Sequence, residues 1–87
     1  MAQLGADVEQ LDSLANRFNA VADELDGMVN QLGSQIHSAW WQGSDADRFR
    51  SDWDGQYRSN LIAVSTRLRD TATAITQQAN QQRATSG

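Results

Sequence analysis

Apolar residues recur along the first half of the chain at alternating steps of four and three. The series comprises Leu4, Val8, Leu11, Ala15, Phe18, Ala22, Leu25, Val29, Leu32, Ile36 and Ala39. Such spacing keeps the side chains on one side of an α-helix. A further line of Leu14, Val21 and Met28 widens the stripe to the breadth typical of a bundle helix. The pattern predicts a long helix from about residue 7 to 39, with Asp7 as its N-cap.

The pattern breaks at residues 40–45, which read WWQGSD. Gly43 can adopt the left-handed backbone conformation that ends a helix. Apolar residues then recur at steps of three and four, namely at Ala46, Phe49, Trp53, Tyr57, Leu61, Val64, Leu68, Ala72, Ile75 and Ala79. This second series predicts a helix over residues 46–79, followed by a flexible polar tail over residues 80–87.

Local signals modify these two helices. Gly27 and Gly33 lie inside the first helix, and each costs it about 1 kcal/mol relative to alanine. They mark either a close approach of the helices or plain tolerance, and tolerance is the simpler interpretation. Gly55 is a weak point of the second helix. Ser44 followed by Asp47 fits a variant capping box at the start of that helix.

Two long helices joined by about five residues run antiparallel. Such a hairpin hides only part of a stripe that is three positions wide, so the remainder needs a second hairpin. We therefore predict one all-α domain over residues 1–87, an antiparallel helix-turn-helix hairpin that dimerises into a four-helix bundle. A second copy or a different protein could complete the bundle. The core and dimer stripe is expected at Leu11, Leu14, Phe18, Val21, Leu25, Met28, Leu32, Leu61, Val64 and Leu68.

Composition narrows the possible functions. The chain has no proline, which permits long helices, and no cysteine, which excludes disulfides and thiolate metal sites. A net charge of −4 argues against nucleic-acid binding. The charge is uneven, since residues 1–43 hold six acids and one arginine, whereas residues 44–87 hold five acids and six arginines. The two halves either attract each other or form two solvated faces.

No pattern of catalytic or metal-binding residues is visible. His37 is the only histidine, and the nearest acid on its helix, Asp26, lies three turns away. Four aspartates between residues 45 and 54 lack the spacing of a calcium loop. We therefore predict that the protein is not an enzyme and has no catalytic residues, cofactor or metal.

The longest apolar run is four residues, at 61–64, so we expect no transmembrane helix, and the N-terminus lacks the pattern of a cleaved signal peptide. A single basic residue in the first helix also argues against membrane contact.

Aromatic residues cluster around the predicted turn. Trp41, Phe49 and Trp53 could plug the open end of the hairpin. Trp40 and Trp41 are adjacent and would point about 100° apart on a helix, so one of them is expected to be exposed to a partner. Tryptophan is enriched at the energetic centres of protein interfaces.

The turn sequence carries a family resemblance. Trp41-Gln42-Gly43 stands between two amphipathic helices, with aromatic residues eight and twelve positions after the tryptophan, Phe49 and Trp53. In this setting the chain resembles, over essentially its whole length, the WXG family of small type VII secretion proteins, which are similar to the early secreted antigenic targets of mycobacteria. The tripeptide alone is a weak signal, and its context makes it specific.

The resemblance implies a hairpin that forms homodimers or heterodimers with a related hairpin and contacts the secretion machinery. It also implies export from the cytoplasm to the outside or the cell surface without a cleaved signal peptide, and a link to virulence or to a toxin partner. Trp41 and Gly43 are the residues that match the family's export and turn motif.

One family element is missing. The family carries a C-terminal Tyr-x-x-x-Asp/Glu element, whereas the only tyrosine here is Tyr57 and the last acid is Asp70. Either a heterodimer partner supplies this element, or the chain is trimmed or belongs to a branch with another signal. The polar tail ending in Ser-Gly favours the first explanation.

Four functions remain open. The first is a secreted substrate or export partner that acts by dimerising, and the second is a cytoplasmic adaptor or targeting chaperone for a larger toxin. The third is a membrane-active effector, and the fourth is an unrelated helical-hairpin interaction module.

Overall fold

The computed structural model describes residues 7–86, so Leu4 and Gly87 of the predictions above lie outside the described residues. Its elements are α1 (Val8–Ser38), α2 (Ser44–Asp52), a π-helical segment (Trp53–Tyr57) and α3 (Arg58–Ser86). The last three form one continuous helix, which returns along α1. The predicted all-α antiparallel hairpin is therefore confirmed, and it extends over 63 Å with a cross-section of 16 × 15 Å.

The first helix begins where the sequence predicts. The Asp7 carboxylate accepts hydrogen bonds from the backbone N–H groups of Glu9, at 2.9 Å, and Gln10, at 3.2 Å. These donors would otherwise have no partner in the first turn. The helix ends at Ser38, and Ala39 takes an extended conformation while its N–H still donates to the Gln35 carbonyl at 2.9 Å.

Gly43 has a different role from the predicted one. It does not end α1 but begins α2 as its N-cap, with a φ of +124°. A side chain at this φ is strongly disfavoured, although nothing lies within 4 Å of the space a Cβ would occupy. The Ser44–Asp47 capping box is not formed, because no side chain caps α2.

A row of mostly small residues holds the two long helices together. They recur at steps of seven on both helices and are buried between them: Ala15, Ala22, Val29, Ser65, Ala72 and Ala79. We call this row the seam. Small side chains allow the two backbones to approach closely, while leaving little apolar volume between them.

The seam lies along one edge of the apolar surface that the sequence predicts. None of the ten residues predicted for the core and dimer stripe is fully buried. Six are half-buried, namely Leu11, Phe18, Val21, Leu25, Leu61 and Leu68. Four are exposed, namely Leu14, Met28, Leu32 and Val64. The hairpin therefore leaves most of its large apolar side chains in contact with solvent.

The π-helical segment explains why Val64 is exposed. The N–H of Arg58 donates to the carbonyl of Trp53, five residues earlier, so this turn contains one more residue than an α-turn. In an uninterrupted α-helix, residues eleven positions apart lie on the same side, because eleven residues make about three turns. Trp53 and Ser65 lie on the same side although they are twelve positions apart. The extra residue thus places Ser65 in the seam, where an uninterrupted helix would have placed Val64.

The C-terminal end also differs from the prediction. The helix continues through Ser86 instead of giving way to a flexible tail after residue 79. Ala79 is fully buried in the seam, and the Arg83 guanidinium pairs with the Asp12 carboxylate on α1. These contacts keep the last two turns of α3 beside α1.

Candidate functional site

One long face of the hairpin is closed by charged side chains. The Arg69 guanidinium on α3 contacts two carboxylates on α1, Asp23 at 2.6 Å and Asp26 at 2.7 Å. Arg83 pairs with Asp12 near the end of the hairpin that lies away from the turn. The charge difference between the two halves of the sequence is therefore used in pairing across the hairpin. We call this side the polar face.

The Asp26 carboxylate is the centre of the polar face. The hydroxyl of Ser65, fully buried in the seam, lies 2.6 Å from one oxygen of Asp26, and Arg69 holds the other. The hydrogen bond from Ser65 and then the one from Arg69 lower the pKa of Asp26 below its ordinary value of 3.8. The same contacts, with those to Asp23, raise the pKa of Arg69.

His37 has a companion that the sequence did not reveal. Its Nε2 lies 2.8 Å from a carboxylate oxygen of Asp54, which belongs to the π-helical segment. Spacing along one helix cannot reveal such a pair, because the two residues meet only when the chain turns back. Among residues 7–86, no group of three or more His, Asp and Glu is arranged to hold a metal ion.

The opposite long face carries the large apolar residues. Relative to a seam residue, the residue four positions later on the same helix points about 40° to one side of the seam. The residue three positions later and the residue one position earlier point to the other side. Asp26 follows Ala22 by four, while Leu25 follows it by three and Val21 precedes it by one. The acids and the large apolar side chains therefore lie on opposite sides of the seam. We call the second side the apolar face.

The two long helices contribute unequally to the apolar face. On α1 every seven-residue repeat supplies large side chains, and Met28 is 60% exposed. On α3 the positions equivalent to Val64 in the next two repeats are Thr71 and Gln78. Contiguous exposed apolar patches are uncommon on isolated soluble proteins and mark interaction sites. The face is suited to packing against other helices, and α1 supplies most of its apolar surface.

Trp53 and Gly33 fix the geometry near the turn. The Trp53 side chain is only 3% exposed. A Cβ at Gly33 would lie 3.1 Å from the indole Nε1 of Trp53, so the glycine provides space for the ring. Gly33 thus marks a close approach of the helices, and the simpler interpretation of tolerance is wrong there. Gly27 has nothing within 4 Å and fits that interpretation.

Three other aromatic rings form a row on the surface beside the turn. Trp41 contacts Phe49 with ring centroids 6.1 Å apart, and Phe49 contacts Tyr57 at 5.9 Å. All three rings are partly exposed, and Trp41 is 43% exposed. Trp53, which the sequence grouped with Trp41 and Phe49, lies instead between the helices. Trp40 is 87% exposed, so Trp41 is the member of the pair that packs on the hairpin.

Arg50 holds the turn in place, a role that the sequence analysis missed. Its guanidinium donates to three backbone carbonyls, those of Ile36 and Trp41 at 2.9 Å and of Ala39 at 3.0 Å. It also lies over the Trp41 ring, 5.7 Å from the centroid. A cation is favourable near the C-terminal end of α1, where carbonyls lack helical partners. No spacing rule identifies this contact, because it depends on the path of the turn.

Within residues 7–86, no helix is both long enough and apolar enough to cross a membrane.

Comparison with known proteins gives one family and no individual relative. Neither a curated protein nor a solved structure matches the chain. The model of the WXG100 family, described as proteins of 100 residues with WXG, matches residues 3–85. The match includes both long helices and the turn that carries Trp41 and Gly43. The chain therefore belongs to the WXG100 family of small helical proteins associated with type VII secretion.

Proposed function

We propose that this protein is a small secreted protein, or an export partner, of a type VII secretion system. It acts by pairing its apolar face with a related hairpin, and it performs no catalysis. The single observation that carries this proposal is the contrast between a polar face closed by ion pairs and an apolar face left open. Family membership supplies the type VII context.

Exposed side chains on the apolar face favour such pairing. Leu14, Met28, Leu32 and Val64 are each exposed by more than two fifths in the free hairpin. Complete burial of one such side chain contributes about 1.5–3 kcal/mol, although association itself opposes this gain with a cost of about 4–15 kcal/mol. Burial of the four exposed residues, together with their half-buried neighbours on both partners, would offset this cost.

The turn has a separate role in the proposal. In this proposal Trp41 and Gly43 form the export motif, as the family resemblance implies. The Trp41 indole packs against Phe49 and Arg50 and stays partly exposed, which supports contact with the secretion machinery. Gly43 provides the positive φ that starts α2 directly after the motif. In this proposal the protein is exported from the cytoplasm and acts outside the cell or at its surface.

Replacement of each tryptophan at the turn tests the proposed export motif. Trp41→Ala is expected to abolish export, measured as protein in the culture medium against protein in the cells. Trp40→Ala is the matched control, since it removes the same side chain from the neighbouring exposed position, and its export should resemble that of the wild type. Circular dichroism and light scattering should show that both variants remain helical and keep the wild-type molar mass.

The outcomes separate the proposal from its alternatives. Normal export of Trp41→Ala would contradict the assigned role of the turn. A wild-type protein that stays inside cells under secreting conditions would favour a cytoplasmic adaptor or targeting chaperone for a larger toxin.

A further inference from the structure

A cleft lies between α1 and the π-helical segment. It has a volume of about 350 Å³, and its apolar part is formed by Val29 and the indole ring of Trp53. Ligand pockets in proteins range from about 300 to 1,000 Å³, so this cleft has room for a small ligand or for one side chain of a larger one. Neither Trp41 nor Gly43 lines it, so it is separate from the proposed export motif.

The Trp53 side chain presents a hydrogen-bond donor to this cleft. Trp53 is only 3% exposed, and its indole N–H finds no acceptor within residues 7–86, although a buried indole N–H usually has one. No side-chain nitrogen or oxygen in this part of the chain is both fully enclosed and without a partner, so Nε1 keeps an opening to solvent. Nε1 is on the edge of the ring that lies against Gly33, and both residues line the cleft. The opening therefore faces the cleft, where a ligand atom can accept this hydrogen bond.

The π-helical segment brings Arg58 to the same cleft. Residues five apart in an α-helix point about 140° from each other, because each residue turns by about 100°. The wider turn between Trp53 and Arg58, closed by a hydrogen bond between their backbones, places both side chains on the cleft. Single π-helical turns within α-helices occur frequently at functional sites.

Most hydrogen-bond donors of Arg58 are available to a ligand. Within the described residues its guanidinium makes one hydrogen bond, to the Asn30 side-chain oxygen at 3.4 Å, which is long for this type of bond. A guanidinium has five N–H groups and binds a carboxylate through two parallel hydrogen bonds. Arg58 and the Trp53 indole thus offer donors to one acceptor group in the cleft.

The charges that line the cleft favour a ligand with a single negative charge. Arg58 is positive and Asp54 is negative, and one oxygen of Asp54 already lies 2.8 Å from the Nε2 of His37. The lining therefore has a net charge of zero with His37 neutral and of +1 with His37 protonated. A doubly charged anion such as phosphate would be repelled by Asp54 about twice as strongly as a carboxylate.

We propose that the cleft between α1 and the π-helical segment binds a carboxylate group. The carboxylate accepts hydrogen bonds from the Trp53 indole N–H and the Arg58 guanidinium, and the carbon atoms attached to it pack on the Trp53 ring and Val29. A small organic acid and an acidic side chain of a polypeptide both offer this chemistry. The protein thus has a ligand site in addition to the surfaces that the proposed function uses.

The indole N–H signals in an NMR spectrum of the full chain test this site directly. The three tryptophans give three such signals, and the variant Trp53→Phe identifies the one that belongs to Trp53. Titration with butyrate should shift the Trp53 signal in a saturable way, with a Kd on the order of 1 mM, as is usual for a ligand of about six heavy atoms. The signals of Trp40 and Trp41 should stay in place. Butyramide is the matched neutral probe and should cause no saturable shift.

A second titration distinguishes the two sources of the carboxylate. The peptide acetyl-Gly-Glu-Gly-amide carries one acidic side chain, and acetyl-Gly-Gln-Gly-amide is its neutral match. Tighter binding of the acidic peptide than of butyrate would identify a polypeptide as the source, and tighter binding of butyrate would identify a small organic acid. Either result supports a carboxylate site.

Two variants test the groups that hold the carboxylate. Arg58→Gln should weaken butyrate binding about 10-fold, because it removes the charged hydrogen-bond donor, whereas Arg67→Gln changes an exposed arginine of α3 outside the cleft and should have no effect. Gly33→Ala places a methyl group 3.1 Å from Nε1 and should also weaken binding about 10-fold. Gly27→Ala is its control, and circular dichroism should show that all four variants remain helical.

Several results would overturn the proposal. These are the absence of a saturable shift with both acidic probes, equal shifts of all three indole signals, and binding of butyramide as tight as that of butyrate. Butyrate binding that is unchanged in Arg58→Gln would also contradict it, and tighter binding of inorganic phosphate than of butyrate would refute the assignment to a carboxylate. None of these measurements depends on export, so the proposed function stands or fails separately.

Discussion

The two long faces of the hairpin differ in where their partners lie. On the polar face, the acids of α1 find their partners on α3 within the same chain, as Asp26 finds both Ser65 and Arg69. On the apolar face, the large side chains of α1 have as neighbours only each other and a few residues of α3, within the part of the chain that the structure describes. The polar face therefore holds the two helices in register. The apolar face leaves large side chains exposed, and the proposed function assigns this surface to association with a partner. The two tasks are separated by the seam, which is only one residue wide on each helix.

The narrow seam gives the free hairpin little internal stability. A compact chain of this length has a radius of gyration of about 12 Å, whereas the hairpin has one of 19.3 Å. Alanine and serine side chains bury little apolar area, and each buried methylene contributes only about 0.8 kcal/mol. Small domains without disulfides or metals usually need a partner to complete their core. The ion pairs of the polar face therefore orient the two helices, whereas burial of the apolar face by a partner would supply further stability.

The largest expected effect comes from widening the seam. Ala22→Leu would insert a large side chain between α1 and α3 at a position that is fully buried. Overpacking of this kind costs about 1–3 kcal/mol, which is a large part of the stability of a small domain. Urea denaturation followed by circular dichroism should show a strongly lowered midpoint, because both faces depend on the close approach of the helices.

Ala20→Leu is the matched control for this prediction. It makes the same change two residues earlier in α1, at an exposed position. Its midpoint should stay close to that of the wild type, since alanine and leucine have similar helix propensity. Equal effects of the two variants would mean that the seam is not the tightly packed contact described above.

A smaller effect is expected from the two glycines of α1. Gly27→Ala should raise the free energy of unfolding by about 1 kcal/mol, because alanine favours the helix and the site is open. Gly33→Ala receives the same gain, but its Cβ would press against the buried Trp53 ring at 3.1 Å. Its stability should fall short of that of Gly27→Ala by about 1 kcal/mol or more. Identical thermal midpoints for the two variants would refute the close approach at Gly33.

The sequence was sufficient to predict features that depend on local spacing. The two helices, their antiparallel path and the Asp7 cap follow from periodicity and from the backbone donors of the first turn. Periodicity could also show that the stripe is too wide for one hairpin. It could not show which edge of the stripe faces α3, because alanines and leucines on neighbouring positions give the same pattern.

The features that the sequence did not predict depend on contacts between distant residues. The π-helical segment adds one residue, so the residues of α3 that face α1 come one position later than in an uninterrupted helix. The apolar pattern does not reveal this shift, because its steps of three and four continue through it without a break. Arg50 reaches three carbonyls around the turn, and His37 reaches Asp54, only because the turn brings them together. Such contacts leave no periodic signal, and only the folded chain reveals them.

The smallest expected effect concerns the pH dependence of the polar face. Since Ser65 and Arg69 lower the pKa of Asp26 in the folded state, its ionised form stabilises the fold above the ordinary pKa of 3.8 that the group has in the unfolded chain. This contribution is lost as the pH falls through the lower, folded pKa. A carboxyl NMR titration should place the pKa of Asp26 below 3.8 in the wild type and closer to 3.8 in Ser65→Ala. In parallel, the stability difference between the wild type and Asp26→Asn should shrink as the pH is lowered from about 5. A difference that is constant over this range would mean that the Asp26 carboxylate does not anchor the polar face.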